Sequence, residues 1–217
     1  MATKGLEVRE HDLLLIVDVQ NDFCPGGALA VPEGDKVIEP ILRVAPIFRQ
    51  IVLTQDWHPA GHSSFAASHP GRRPYEVVAL AYGPQVLWPV HCVMDTKGAE
   101  FHPRLRLAAT SYVQRKGSGV AMDSYSAFFE NDHRTSTGLE EYLRTKGIQR
   151  VFIAGLAYDF CVGYSALDAC RLGFETFVLR DACRSIDQNG SLEEMEKNLV
   201  QAGVGLAQTA DLAAPLQ

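Results

Sequence analysis

The chain has 217 residues, of which 47% are hydrophobic and 21% charged, and its formal net charge is −6. This length is enough for one α/β domain with a buried core, and we expect residues 1–217 to form a single domain. An acidic balance without a block of basic residues argues against nucleic-acid binding, and no apolar stretch approaches the roughly 18 residues that would span a bilayer.

Strand-like apolar runs alternate with amphipathic segments along the chain. The predicted strands fall near 13–18, 50–55, 111–115, 150–155, 174–179 and 203–207. The predicted helices fall near 34–49, 138–146, 160–172 and 190–202. Pro40 and Pro46 lie inside the first helix and should make it the least regular. This alternation predicts an α/β fold, a doubly wound (Rossmann-like) and mostly parallel six-stranded sheet with helices on both faces.

Residues 57–110 form a long segment that is rich in proline, glycine and histidine and that lacks periodic apolar runs. An excursion of this size inside a compact domain is typical of a functional loop region. Five histidines lie in it: His58, His62, His69, His91 and His102. We therefore interpret it as part of a functional site.

Chemically reactive side chains lie just beyond four of the predicted strands. Asp18 follows the first strand, Asp56 and His58 the second, Lys116 the third and Cys161 the fourth. In open parallel sheets, ligands bind in the crevice beyond the carboxyl ends of the strands. These side chains should therefore converge there, which predicts an enzyme.

Cys161 follows a strand and a glycine, Gly155, at the predicted start of a helix. A helix N-terminus favours the thiolate, and its N–H groups can form an oxyanion hole. A thiol nucleophile also needs a base and a nearby positive charge, which Asp18 and Lys116 could supply. The alternatives are a buried small cysteine, a turn-forming Asp18 and a solvated Lys116.

The other cysteines have no comparable setting and are interpreted as packing residues: Cys24, Cys92, Cys170 and Cys183. An odd number of cysteines without a C-x-x-C pair fits reduced thiols. The polar segment 1–12 lacks the apolar core of a secretory signal. Both features predict a cytoplasmic protein.

A second set of residues has the composition of a metal site. Asp56 and His58 lie at positions i and i+2, on one side of an extended segment, and His62 and His91 follow in the loops. One carboxylate with two or three imidazoles suits Zn²⁺, Fe²⁺ or Mn²⁺ and leaves coordination positions open. The alternative is a hydrogen-bonded Asp–His pair in a loop. The remaining histidines are interpreted as surface or structural residues: His11, His69, His102 and His133.

Five motifs, in this order, resemble those of the isochorismatase-like hydrolases, and within them the nicotinamidase/pyrazinamidase group. They are VDVQNDF at 17–23, QDWHP at 55–59, WPVHC at 88–92, Lys116-Gly117 and GLAYDFCV at 155–162. The similarity extends from about residue 12 to residue 212. The metal-binding residues point to the nicotinamidase group, because related carbamoyl and ureido amidases generally lack them.

The resemblance implies a role for each matched residue. The catalytic residues would be Asp18, Lys116 and Cys161, with Ala157 and Cys161 N–H groups as the oxyanion hole. The metal ligands would be Asp56, His58 and His91, and some members place a further ligand where His62 falls. The ring-binding residues would be Phe23, Leu29, Trp88 and Tyr125.

The resemblance also has implications for the turn before Cys161. The Leu156–Ala157 peptide bond would be cis. Tyr158 departs from the usual threonine, which predicts an altered substrate range.

The activity implied is hydrolysis of nicotinamide to nicotinate and ammonia through a thioester, and pyrazinamide would also be a substrate. The cofactor would be one divalent transition metal ion, Zn, Fe or Mn. The alternatives are an amidase acting on a carbamoyl, ureido or maleamate-type substrate, and a catalytically silent metal-binding or interaction protein on the same fold. The expected partner is a small-molecule substrate, with neither nucleic acid nor membrane, and a homo-oligomer is compatible with the sequence.

Overall fold

The computed structural model describes residues 6–214, which contain ten strands and four α-helices. The strands are β1 (Leu6–Glu7), β2 (Asp12–Val17), β3 (Gln50–Asp56), β4 (Val77–Leu80), β5 (Gly83–Val86), β6 (Tyr112–Lys116), β7 (Arg150–Leu156), β8 (Glu175–Arg184), β9 (Gly205–Ala207) and β10 (Leu212–Ala213). The helices are α1 (Ile38–Val44), α2 (Leu139–Thr145), α3 (Gly163–Arg171) and α4 (Ser191–Ala202).

Six of the strands form a parallel sheet in the order β6-β3-β2-β7-β8-β9. The chain starts in the middle of this sheet with β2, adds β3 and β6 on one side and then adds β7, β8 and β9 on the other. The order therefore reverses at β2, and β2 and its two neighbours surround a topological switch point. The predicted fold class is confirmed.

Helices cover both faces of the sheet, which explains why the central strands β2 and β7 are almost continuously apolar. Every residue of β2 is buried. Leu14 and Ile16 pack into a core with α1, whereas Leu13 and Leu15 pack into a second core with α2, α3 and α4. A strand that is buried on both faces needs apolar residues at successive positions.

The first predicted helix is divided into three short pieces. A 3₁₀ turn over Gly34–Val37 precedes α1, and another over Ala45–Ile47 follows it. Pro40 lies in the first turn of α1, where the missing N–H costs little, and Pro46 lies in the second 3₁₀ turn. The prolines therefore restrict the α-helix to seven residues.

Three features of the fold were not predicted. The strand expected at 174–179 continues to Arg184 as β8. The loop region contains an antiparallel hairpin of β4 and β5, and β1 pairs with β10 near the ends of the described chain. Among the helices within residues 6–214, none is long and apolar enough to span a membrane.

Candidate active site

Four neighbouring strands each bring one reactive side chain to the same edge of the sheet. Lys116 is the last residue of β6 and Asp56 the last residue of β3. Asp18 follows β2 directly, and Cys161 lies in the turn that follows β7. The convergence expected from the strand ends is therefore present. All four residues are buried, and Cys161 is 7% exposed.

Lys116 connects the candidate catalytic residues. Its Nζ lies 2.8 Å from Asp18 Oδ2 and 3.3 Å from Cys161 Sγ. The same ammonium forms an ion pair with Asp56 and donates a hydrogen bond to the Ser124 carbonyl at 3.0 Å. Asp56 was assigned from the sequence only to the metal site, so its ion pair with Lys116 is a contact that the motifs did not reveal.

Asp18 is held by its neighbour on β3. Thr54 donates its hydroxyl to Asp18 Oδ1 at 2.5 Å and accepts the Asp18 N–H at 3.1 Å. Asp18 has a φ of 48°, a left-handed conformation that is uncommon outside glycine, although aspartate adopts it more readily than most residues. The Thr54 contacts fix the carboxylate beside Lys116.

Burial and charge act in opposite directions on the pKa of each catalytic residue. Burial raises the pKa of Asp18 against the lowering effect of Lys116. It also raises the pKa of Cys161 well above its usual value, although Lys116 again acts in the opposite direction. The pKa of Lys116 is well above its usual value, because Asp18 and Asp56 outweigh the effect of burial. The helix N-terminus was expected to favour the thiolate at Cys161, and in the folded structure burial works against this charge, so the thiol needs a base.

The turn after β7 carries Cys161 in a single π-helical turn over Tyr158–Val162 that continues into α3. The Leu156–Ala157 peptide bond is cis, as the resemblance implied. Gly155 has a φ of 123°, and a Cβ there would lie 2.1 Å from the Val17 carbonyl oxygen. Glycine, which has no Cβ, therefore allows β2 and β7 to pack closely at this position. The position lies just before Asp18 on one strand and just before the turn that carries Cys161 on the other.

Asp56, His58 and His91 offer one ligand atom each, and these atoms lie within 4.8 Å of one another. The Nε2 atoms of His58 and His91 lie 3.5 and 3.8 Å from Asp56 Oδ2. Each ring also contacts a backbone carbonyl through Nδ1, at 2.8 Å from Gly117 O and 2.8 Å from Pro89 O respectively. A carbonyl at Nδ1 takes up a ring proton there, so each ring in its neutral form leaves Nε2 free to bind a metal ion. The three residues therefore fit a divalent transition metal.

His62 lies beside this cluster but has partners of its own. Its ring centroid is 4.4 Å from that of His58. Its Nδ1 contacts Ser64 Oγ at 2.7 Å, and its Nε2 contacts the Met122 carbonyl at 3.1 Å. As a possible metal ligand, His62 belongs to a second group, with His58 and Asp123, rather than to the group of Asp56, His58 and His91.

The four residues expected to bind a ring line one cavity together with Cys161. Phe23, Leu29, Trp88 and Tyr125 form its walls. Asp56, His91 and Ala157 complete the side that carries the chemistry. The cavity therefore presents a thiol and a metal cluster to the same apolar space.

Three further residues of this cavity were not identified from the sequence: Asp123, Phe160 and Ile186. Phe160 makes edge contacts with the rings of Trp88 and Tyr125, at centroid distances of 4.9 and 5.5 Å. The sequence feature that could have identified Phe160 is its position next to Cys161. Ile186 follows β8 by two residues and has no neighbouring motif, so no local pattern indicated its role.

Tyr158, the departure from the family pattern, faces away from this cavity. It lines a different depression, together with Arg180, Cys183 and Glu196. The expected effect of Tyr158 on substrate range therefore has no direct contact to support it.

All five cysteines are free thiols, and among them Cys161 lines the cavity.

A family model, the isochorismatase domain, matches residues 12–211. The chain belongs to the isochorismatase family. It is 50% identical to the nicotinamidase of Acinetobacter baylyi over 191 residues, which cover 88% of this chain and 89% of that one. It is 45% identical to the nicotinamidase of Escherichia coli over 178 residues, which cover 80% and 83%.

Solved structures agree with this assignment. A nicotinamidase/pyrazinamidase of Acinetobacter baumanii superposes with a TM-score of 0.93 at 51% identity, covering 94% of this chain and 98% of that one. The yeast nicotinamidase bound to the inhibitor nicotinaldehyde has a TM-score of 0.83 at 30% identity and covers 91% and 99%. A pyrazinamidase of Pyrococcus horikoshii in complex with zinc has a TM-score of 0.75 at 35% identity, covering 91% and 99%. The zinc complex and the Asp56–His58–His91 cluster together support a divalent metal site in this chain.

Proposed function

We propose that this chain hydrolyses nicotinamide to nicotinate and ammonia through a thioester on Cys161, and that it also accepts pyrazinamide. The observation that carries the proposal is the arrangement around one cavity, where the thiol, its ammonium and carboxylate partners and a metal-type cluster face an aromatic-lined space. Relatives that are 45% and 50% identical bear the name nicotinamidase.

Asp18 acts as the general base in the first half of the reaction. It takes the proton of the Cys161 thiol, and the sulfur attacks the carboxamide carbon to give a tetrahedral intermediate. The raised pKa of Asp18, caused by burial, makes it a stronger base than an ordinary carboxylate. Asp18 then gives the proton to the leaving nitrogen, the C–N bond breaks and ammonia departs, leaving a thioester.

The second half of the reaction regenerates the thiol. Asp18 takes a proton from water, the hydroxide attacks the thioester carbon, and the C–S bond breaks as the proton returns to sulfur. Lys116 keeps its charge throughout, since its pKa is well above its usual value, and stabilises the anionic forms of Asp18 and Cys161. The N–H groups of Ala157 and Cys161 stabilise the oxyanion in both halves.

Asp56, His58 and His91 would hold one divalent transition metal ion, zinc, iron or manganese. This fit rests on the two Nδ1–carbonyl contacts, which place both Nε2 atoms on the side of the Asp56 carboxylate. Such an ion would supply a Lewis-acidic site that orients the substrate ring, and the Cys161 sulfur remains the nucleophile. Phe23 and Trp88 bind the ring faces in the cavity.

The test is ammonia release from nicotinamide by the purified protein, with metal content measured on the same sample. Cys161→Ala should reduce turnover by at least about 10³-fold, because it removes the nucleophile. Cys170→Ala is the matched control: Cys170 bonds the Ala202 carbonyl on α4, outside the cavity, so turnover should stay within about twofold.

Mass spectrometry of an acid-quenched reaction should detect Cys161 carrying a nicotinoyl group. Retained turnover in Cys161→Ala would exclude the thioester and make a metal-bound hydroxide the leading nucleophile. Active protein without metal would instead favour an amidase of the carbamoyl or ureido type.

A further inference from the structure

Asp159 lies two residues before Cys161, inside the same π-helical turn, and its carboxylate is 3% exposed. Its Oδ1 accepts the N–H of Ile186 at 3.0 Å. Its Oδ2 accepts the N–H of Asp187 at 2.7 Å and the hydroxyl of Ser191 at 2.5 Å. The Ile186 and Asp187 donors belong to the connection between β8 and α4, and Ser191 is the first residue of α4.

This connection, residues 185–190, forms one wall of the substrate cavity through Ile186. Asp187 and Asn189 have φ values of 52° and 53°, a left-handed conformation that needs support in residues other than glycine. Leu192 donates its N–H to Asp187 Oδ1 at 3.4 Å, a long contact. Asp159 therefore supplies the short hydrogen bonds that tie this connection to the cysteine turn.

We propose that Asp159 is a positioning residue that holds Ile186 against the substrate ring and closes the cavity above Cys161. The turn over Tyr158–Val162 then carries both Cys161 and the residue that holds the Ile186 wall in place. The distance between Cys161 and that wall is therefore set by one short backbone segment. This inference rests on the proposed function for its kinetic part, but closure of the cavity can be measured without any substrate.

A carboxylate suits this role because it only accepts hydrogen bonds and can receive three donors at once. Asparagine has nearly the same shape, but its amide group would present N–H to one of the donors and leave a buried donor without a partner. Asp159→Asn should therefore release the connection while changing little volume. Ser191→Ala removes one of the three donors and leaves the carboxylate charge in place.

The first measurement is the rate at which iodoacetamide alkylates Cys161, followed by peptide mass spectrometry. We expect the rate to rise at least about fivefold in Asp159→Asn, since local opening governs access to a buried group. Ser191→Ala should change the rate in the same direction by a smaller factor. Because Ser191→Ala changes no charge, this result separates an open wall from a shift in the thiol pKa.

The second measurement is steady-state kinetics with nicotinamide. Asp159→Asn should raise KM about tenfold and lower kcat less than about threefold, because ring binding is weakened more than the chemical step. The dissociation constant of nicotinate should rise in parallel. A double-mutant cycle with Ile186→Ala should be non-additive, with the Asp159 effect on KM largely lost once the Ile186 side chain is absent.

Asp181→Asn is the matched control. Asp181 also fixes a distant backbone segment, accepting the Thr209 N–H at 2.8 Å and the Thr209 hydroxyl at 2.5 Å, but it lies outside the cavity. It should leave Cys161 alkylation and KM unchanged.

The outcomes separate the two proposals. Unchanged Cys161 alkylation in folded Asp159→Asn, or in Ser191→Ala if the first variant does not fold, would overturn the positioning role. An additive cycle with Ile186→Ala would also overturn it. Failure of the unmodified protein to hydrolyse nicotinamide would overturn the proposed function and leave the alkylation result valid.

Discussion

Asp56 and Lys116 are register partners at the ends of β3 and β6, and their side chains form an ion pair. Lys116 also lies 2.8 Å from Asp18, so one buried ammonium neutralises a carboxylate of the metal cluster and the candidate base. The pKa of Asp56 is well below its usual value, because Lys116 and His58 outweigh the effect of burial. The metal cluster and the nucleophile are thereby held in a common electrostatic network.

Lys116→Met should abolish activity and lower stability. The substitution keeps an apolar stem but leaves Asp18 and Asp56 buried without their counter-charge, which typically costs about 3–5 kcal/mol. We expect kcat/KM for nicotinamide to fall at least about 10³-fold. Denaturant unfolding measures the loss of stability. Steady-state kinetics well below the melting temperature of the variant measures the loss of activity.

Arg150→Met is the control for the stability part. Arg150 pairs with buried Asp12 across β7 and β2, at the opposite ends of the strands from the site. It should destabilise the protein by a similar amount while kcat/KM in the folded protein stays nearly unchanged. If Lys116→Met retains substantial activity, the ammonium is structural only.

Thr54→Val should move the acid limb of the pH profile to higher pH. Thr54 donates to Asp18 and thereby favours its charged form, so removing the hydroxyl raises the pKa of Asp18 further. Because Asp18 must be ionised to act as a base, the acid limb of kcat/KM should rise by about one pH unit. Thr176→Val, a buried threonine at the far end of β8 that bonds the Phe174 carbonyl, should leave the profile unchanged. An unshifted limb in Thr54→Val would mean that Asp18 is not the titrating base.

His91→Ala should lower the metal content of the purified protein, whereas His62→Ala should not. His91 directs its Nε2 toward Asp56, whereas both ring nitrogens of His62 contact Ser64 and Met122. We expect metal affinity to fall at least about tenfold in His91→Ala, measured by elemental analysis after dialysis against a chelator. Equal metal loss in the two variants would make His62 a ligand.

Glu130→Gln should stabilise the protein at alkaline pH. Partial burial raises the pKa of Glu130 to about 7, and Asp123 contributes in the same direction. A raised pKa means that the folded state holds the proton more tightly, so its stabilising contribution is complete below about pH 4.5 and is lost as the pH rises through 7. Glutamine cannot lose a proton, so the variant should gain roughly 1–2 kcal/mol relative to the original chain between pH 5 and pH 8, after allowance for solvent screening. The free energies of unfolding of the variant and the original chain, measured with denaturant at the two pH values, check this prediction. A difference between the two proteins that does not change with pH would contradict the raised pKa of Glu130.

Much of the fold was predictable because the signals are local. Apolar runs such as residues 13–17 and 151–154 identify strands of a sheet that is covered on both faces, and the residue after each run then falls at the functional edge. The motif residues Asp18, Lys116 and Cys161 do converge there. The β4–β5 hairpin was missed because each strand has only four residues and β5 begins with Gly83 and Pro84, which are uncommon in strands.

The rest depended on tertiary contacts that no local pattern encodes. The Asp56–Lys116 ion pair follows from the register of β3 and β6, and the wall at Ile186 depends on how the chain leaves β8. The pKa of Cys161 is a related case: a helix N-terminus favours the thiolate, but the burial that raises this pKa is known only from the folded structure.

The strand order has a consequence for how activity appears during folding. Lys116 belongs to β6, which lies at the edge of the sheet and pairs with β3 alone, whereas Asp18 and the cysteine turn lie on the central strands. A chain in which the centre of the sheet had formed but the edge had not docked would contain the nucleophile and its base without the ammonium. Recovery of turnover after dilution from denaturant therefore reports the docking of the outermost strand, and it should lag behind optical signals from the core.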